Sequence, residues 1–131
     1  MNPANADDRE ILSRLDRLNA LLFGRDPALV DELWNDLGFR LIGSELGESA
    51  ATREELAAIM ADLFSRPFRL SWAWKNRAVT RAGEFAWVCV DCDLTMTFPD
   101  RVETRPYRMV CIFQKMDRRW QWRLYSGSEP Q

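Results

Sequence analysis

Between Asp7 and Phe23 the apolar residues Ile11, Leu15, Leu18 and Leu22 recur every three or four positions, with Arg9, Ser13, Arg14 and Arg17 around the rest of the turn. That period lets an α-helix set one stripe against a core and keep its other sides in water, so it predicts a first helix here. Gly24 ends it. Asp26 before Pro27 offers a capping carboxylate and a first-turn proline for a second helix, which carries Leu29, Val30, Leu33, Trp34 and Leu37 and stops at Gly38. Phe39 to Ile42 reads as a short strand, and Gly43 to Ala51 as a loop with glycines and acids. Thr52 and Glu55 then have the spacing of a capping box. Leu56, Ile59, Met60, Leu63 and Phe64 give a third helix its stripe, up to Pro67.

After Pro67 the period falls to two. Phe68, Leu70, Trp72 and Trp74 alternate with Arg69, Ser71, Ala73 and Lys75, while Arg77 to Arg81 is either a short strand of its own or the start of a hairpin turning at Ala82 and Gly83. Phe85 to Phe98 is long for a strand: at about 3.3 Å per residue it would reach about 46 Å, so it must bend or carry a bulge. Its even positions, Ala86 to Phe98, are all apolar. Pro99 to Pro106 reads as a loop, Tyr107 to Lys115 as a strand, Met116 to Arg119 as a tight turn and Trp120 to Ser126 as the last strand. Three helices leading into a strongly curved antiparallel sheet make an α+β fold.

The alternation assigns two faces to that sheet. Tyr107, Met109, Cys111, Phe113, Trp120, Trp122 and Leu124 would pack under the helices. Trp87, Cys89, Asp91, Asp93, Arg108, Val110, Ile112, Gln114, Gln121, Arg123 and Tyr125 would form the other side, half apolar and half charged. A face of that mixture suits a subunit interface, and a symmetric homodimer through the convex side is the natural closure; scattered apolar residues on a solvated face are the alternative. Asp91 and Asp93 share this face, where Arg108 and Arg123 can pair with them, so they read as an ion-pair cluster rather than a catalytic pair.

Composition narrows the chemistry. The chain has 131 residues, fitting one domain over 1–131, and 18 Lys plus Arg against 20 Asp plus Glu leave a net charge of −2. That balance speaks against nucleic-acid partners. No stretch has the length of a membrane span, and Met1 to Glu10 lacks a signal peptide's apolar core, so a cytoplasmic location is expected. With no histidine, imidazole bases and ligands are excluded. Cys89 and Cys92 form a C-x-x-C inside a strand, where a spacing of three sends the thiols to opposite faces; with Cys111 they read as core filler, and neither a metal site nor a cofactor is expected.

Two segments carry a family likeness. Leu41-Ile42-Gly43-Ser44-Glu45-Leu46-Gly47-Glu48 is similar to a loop of the form I-G-T-D-x-G-E, and Arg119 to Pro130 to a closing strand in which R-W leads to F-H-G-S-E-P. In these, and over essentially its whole length, the chain resembles the nuclear transport factor 2-like superfamily, in particular its SnoaL-like branch of ketosteroid isomerase- and polyketide cyclase-like proteins. The resemblance implies a cone of three helices on a curved sheet with an apolar pocket. It does not imply one activity, because the superfamily hosts isomerases, dehydratases, cyclases and non-catalytic assembly domains.

On that reading Trp34, Phe39, Phe64, Trp72, Trp74, Met109, Trp120, Trp122 and Ser126 are candidates for the pocket, though simple core filling is the favoured reading for any one of the aromatics. Glu45 and Glu48, in the loop the resemblance places near the pocket mouth, are candidate proton shuttles, since a carboxylate beside apolar walls has its pKa raised. Tyr107 could donate to a ligand oxygen. Ser126 stands where the family ending has histidine, which weakens any catalytic role carried over to it. The expectation is a homodimer that binds a small apolar or amphipathic molecule. Two alternatives stand beside it: a cofactor-independent isomerase, cyclase or dehydratase acting on a steroid- or polyketide-like compound, and an assembly domain whose tryptophans fill the cone.

Overall fold

The computed structural model describes residues 3–130. Helix α1 spans Pro3–Phe23, α2 Ala28–Leu33 and α3 Arg53–Phe64; strands β1 to β6 span Arg40–Ile42, Ser49–Ala50, Arg69–Ala82, Phe85–Thr97, Val102–Met116 and Arg119–Ser128. The strands form one sheet in the order β2-β1-β6-β5-β4-β3. It is mixed rather than purely antiparallel, because β1 runs parallel to β6 while the other pairs are antiparallel. The third helix begins as expected: Thr52 Oγ1 accepts from the Glu55 N–H at 3.1 Å, and the Glu55 carboxylate accepts from the Ala51 N–H at 2.9 Å. The second helix is shorter than its pattern. The Asn35 side chain accepts from the Leu37 N–H and donates to the Trp122 carbonyl, ending the helix at Leu33 and leaving Leu37 exposed.

Strand β4 buries its even face as expected, with Ala86, Val88, Val90, Cys92 and Met96 inside. The bulges lie in its neighbours' pairing, not in β4 itself. Lys75 is the unpaired extra residue of β3 and Arg123 that of β6. Each bulge exchanges the two faces of its strand from that point on. Beyond Lys75, β3 turns Arg77, Val79 and Arg81 toward α1, where Arg77 meets Asp16 at 2.9 Å and Arg81 meets Asp8 at 2.8 Å. Beyond Arg123, Tyr125 and Gly127 point inward and Leu124 and Ser126 outward, reversing the expected facing of Leu124 and Tyr125. Arg69 to Ala82 is therefore one strand. Likewise β5 extends through the expected loop to Val102; its Pro106 lies beyond the pairing with β6, where no N–H is needed on that side.

Trp120, Trp122, Phe113 and Phe39 are fully buried with Ile11, Leu15, Leu29, Leu33 and Leu56, and the Phe113 and Trp122 rings stand 4.4 Å apart. Where α1 crosses β3 at the sheet edge, Asn19 takes the Trp72 N–H at 2.8 Å and donates to the Trp72 carbonyl at 2.9 Å. Its amide thus stands in for a missing neighbouring strand. Cys89 is exposed while Cys92 and Cys111 are buried, so the C-x-x-C does split across the sheet. Burial pushes the Cys92 thiol up to about 11 and the Cys111 thiol further up, which keeps both protonated.

Candidate functional site

A cavity of about 110 Å³ lies between the helices and the inner face of the sheet. Its inner walls are Leu18, Leu22, Leu29, Leu33, Leu41 and Trp72, and its open side is bordered by Ser44, Glu45, Glu48, Arg66, Arg105 and Glu129. Tyr107 of β5 and Tyr125 of β6 meet inside it, hydroxyl to hydroxyl at 2.6 Å. Both are buried and both pKa values are pushed upward, first by loss of water, so each phenol keeps its proton. One proton joins the pair and the other remains free to donate.

Two glycines make room for this polar group and for the acid at the mouth. A Cβ at Gly127 would fall 1.8 Å from the Tyr107 hydroxyl and 3.0 Å from that of Tyr125, so only glycine lets the two phenols converge there. A Cβ at Gly43 would sit 2.5 Å from the Glu48 Cβ and 3.0 Å from its Oε1. Gly43 also donates its N–H to the Glu48 carbonyl at 2.6 Å, and the Glu45 N–H donates to Glu48 Oε1 at 3.0 Å, which folds the β1–β2 loop around this carboxylate. Glu48 is half-buried. Its pKa is raised above the ordinary value by burial, the Glu45 N–H opposing the shift. Glu45 instead points to Arg66, 3.2 Å away, and Arg66 also holds Asp62 at 3.0 Å; Arg105 stands 3.9 Å from Glu129. Of the acids at the mouth, Glu48 is the one without a direct cation partner among the described residues.

Of the residues singled out from the sequence, Glu45, Glu48, Tyr107 and Trp72 come together here. Phe39, Met109 and Trp120 are core residues away from the cavity, while Trp34 and Trp122 border a separate polar depression with Arg14, Glu32 and Arg119. Phe64 is partly buried against the core, and Trp74 stacks on Trp72 and donates to Asp16 at 3.0 Å. Ser126 lies on the outer face, since the Arg123 bulge exchanges it with Tyr125. Asp91 and Asp93 occupy that face too, paired with Arg108 at 3.0 Å and Lys75 at 3.2 Å; Arg123 turns to Gln114 instead. Sequence reasoning missed Tyr125, Arg66, Arg105 and Glu129. The one signal for Tyr125 was the adjacency of Leu124 and Tyr125, where strict alternation cannot bury both.

The fold recurs in solved structures. A dehydratase-named member of the nuclear transport factor 2-like family from Streptomyces avermitilis superposes with a TM-score of 0.84 at 11% identity, covering 97% of this chain and 99% of that one. A protein from Novosphingobium aromaticivorans named for scytalone dehydratase gives 0.82 at 11% identity, covering 98% and 87%. One from Xanthomonas campestris, named for the calcium/calmodulin-dependent protein kinase II association domain, gives 0.78 at 20% identity, covering 99% and 92%. These identities carry the nuclear transport factor 2-like fold alone. No curated protein matches the sequence. Among the described residues no helix is long and apolar enough to cross a membrane. The sequence profile of the SnoaL-like domain matches residues 11–130, and with nearly the whole chain so matched, this protein belongs to the SnoaL-like family.

Proposed function

We propose that the protein binds a small, compact amphipathic molecule in the cavity beneath its helices and does so as a homodimer. The observation that carries the binding reading is the combination of apolar walls with a single inner polar group, the Tyr107–Tyr125 pair, and a half-buried acid at the mouth. Ligand sites are built this way, apolar surface supplying affinity and a few polar groups fixing orientation. It is favoured over an assembly domain with a filled interior because, of Trp72, Trp74, Trp120 and Trp122, only Trp72 borders the cavity, and open space remains beside it.

The dimer reading rests on the outer face of the sheet. Trp87, Ile112 and Leu124 stand in one row across β4, β5 and β6, and Cys89 and Val110 in the next, with Trp87 38% and Val110 41% exposed. A second copy turned through a two-fold would cover the same residues on both partners.

Proton transfer at this site is the second reading, and Glu48 is what favours it. An acid with a raised pKa, facing a cavity that also holds two protonated phenols, can take a proton from a ligand carbon while a phenol hydrogen-bonds the oxygen that gains charge. Dehydration, isomerisation or cyclisation would follow from that arrangement, and names given to proteins of the same fold include a dehydratase. The deciding measurement is native mass spectrometry of freshly purified protein, followed by denaturation to release any retained compound. A discrete added mass, or uptake of apolar compounds from a panel, is the expected result; a protein that takes up none of them sinks the binding reading.

A further inference from the structure

The mouth of the cavity is charged, and its charges do not balance. Three carboxylates, Glu45, Glu48 and Glu129, border it with two guanidiniums, Arg66 and Arg105. Each arginine already faces acids: Arg66 holds Glu45 at 3.2 Å and Asp62 at 3.0 Å, and Arg105 stands 3.9 Å from Glu129. Glu48 is left over. Its Oε1 takes the Glu45 N–H at 3.0 Å, while its Oε2 has no partner among the described residues. The loop holds this acid in place, since Gly43 donates to the Glu48 carbonyl at 2.6 Å and packs directly on the Glu48 side chain. The Glu48 charge is also felt further in, where it adds to the upward push on the Tyr107 phenol. An unpaired, half-buried carboxylate therefore stands over a cavity whose inner walls are leucine side chains.

We infer that the cavity takes a compact apolar amine, its body against the leucine walls and its ammonium group on the Glu48 carboxylate at the mouth. This rests on the cavity being a binding site and adds the charge of its ligand. A neutral ligand that fills the cavity strips water from Glu48 and returns nothing, which is costly for a charge already half-buried. An anion meets the unpaired carboxylate, while both arginines are engaged by acids of the protein. An ammonium offsets the lost water with attraction and has N–H groups to donate to the open Oε2. The charged and titratable groups around Glu48 are Glu45 on its own loop and Asp62 and Arg66 of α3. Arg105 and Tyr107 of β5, Tyr125 of β6 and Glu129 just beyond it complete the set. The phenols stay neutral and the guanidiniums stay charged over the range in which Glu48 titrates.

The test uses one ring with three head groups, cyclohexylamine, cyclohexanol and cyclohexanecarboxylate, titrated into the full chain at neutral pH and constant ionic strength. The amine should bind most tightly and the carboxylate least. In Glu48→Gln the preference for the amine over the alcohol should fall by about three- to tenfold, as for an ion pair that is only partly buried. The Glu48 side-chain carboxyl carbon, followed by NMR in the unaltered protein, gives a second readout that needs no variant. With the amine bound it should titrate at lower pH than with the alcohol bound, because an ammonium favours the ionised form whereas a neutral ring only removes water. The amine stays charged throughout, since an alkylammonium loses its proton only at about pH 10. An alcohol that binds as tightly as the amine, a carboxylate that binds more tightly, a preference that survives in Glu48→Gln, or a Glu48 titration that is the same with either ring bound would overturn the amine and leave the cavity as a binding site. Binding of none of the three, nor of any other apolar compound, would overturn both.

Discussion

Single atoms decide the geometry of this cavity. The hydrogen at Gly127 leaves the space into which both phenols reach, so Gly127→Ala should push the Tyr107 ring away and destabilise the fold by about 1–3 kcal/mol, measured by urea unfolding. In a Tyr107→Phe background the 1.8 Å contact disappears but the ring carbon at 2.6 Å remains, so rescue should be partial. Glu48 gives a pH signature with a definite sign. Its pKa in the folded protein lies above the ordinary value of 4.5, so its contribution to stability is fully present below that value and is lost as pH rises through the folded pKa. Glu48→Gln, which stays neutral and can still accept from the Glu45 N–H, should therefore raise the melting temperature at neutral pH. The gain should shrink as pH falls through the folded pKa towards the ordinary glutamate value and be absent below it; a gain that does not depend on pH would show that the carboxylate is not penalised by burial.

Among the elements, the third helix is the one whose start is written in side chains. Thr52 satisfies an N–H that the helix cannot, and Thr52→Ala should lower stability by about 1 kcal/mol, checked by the shift of the urea midpoint at unchanged slope. The strands carry a different lesson. Periodicity placed the inner face of β4 residue by residue, since β4 has a regular partner in β5 along its whole length. It failed in β6 because a bulge adds one residue without any change in composition: Trp122 and Tyr125 both point inward, three apart, although strict alternation forbids it. That one residue moved the expected pocket contact from Ser126 to Tyr125 and gave Tyr107 its partner. In β3 the bulge at Lys75 did the same for Arg77 and Arg81: a segment legible either as a separate strand or as the start of a hairpin is the second half of β3, ion-paired to α1.

At the scale of the whole molecule, the sheet has a covered side and an uncovered one. If two copies join through the uncovered side, Ile112 lies in the middle of the row from Trp87 to Leu124, and Ile112→Glu would place two carboxylates against each other across the two-fold. The expected result is a monomer by light scattering with an unaltered circular dichroism spectrum; a dimer of unchanged mass would show that this face is not the interface. The inner side answers a separate question, because the cavity is closed by leucines from α1 and α2, by the β1–β2 loop and by the sheet together.

The sequence by itself determined that there are three helices, the change of period at Pro67, the capping box at Thr52 and the buried face of β4. Those follow from local rules: stripe spacing, cap chemistry and alternation act within a few residues, and a resemblance carried by the Gly43 loop and the final strand supplied the arrangement around them. Only the tertiary structure decided which aromatic residues line the cavity and which fill the core. Tryptophans such as Trp120 and Trp72 are equally apolar in sequence, and the difference between them is what stands opposite: packed Asp7 and Glu10 contacts for the first, open space and two phenols for the second. Bulges, parallel pairing of β1 with β6 and the meeting of Tyr107 with Tyr125 across Gly127 depend on contacts between residues far apart in the chain, and no window of sequence holds both partners at once.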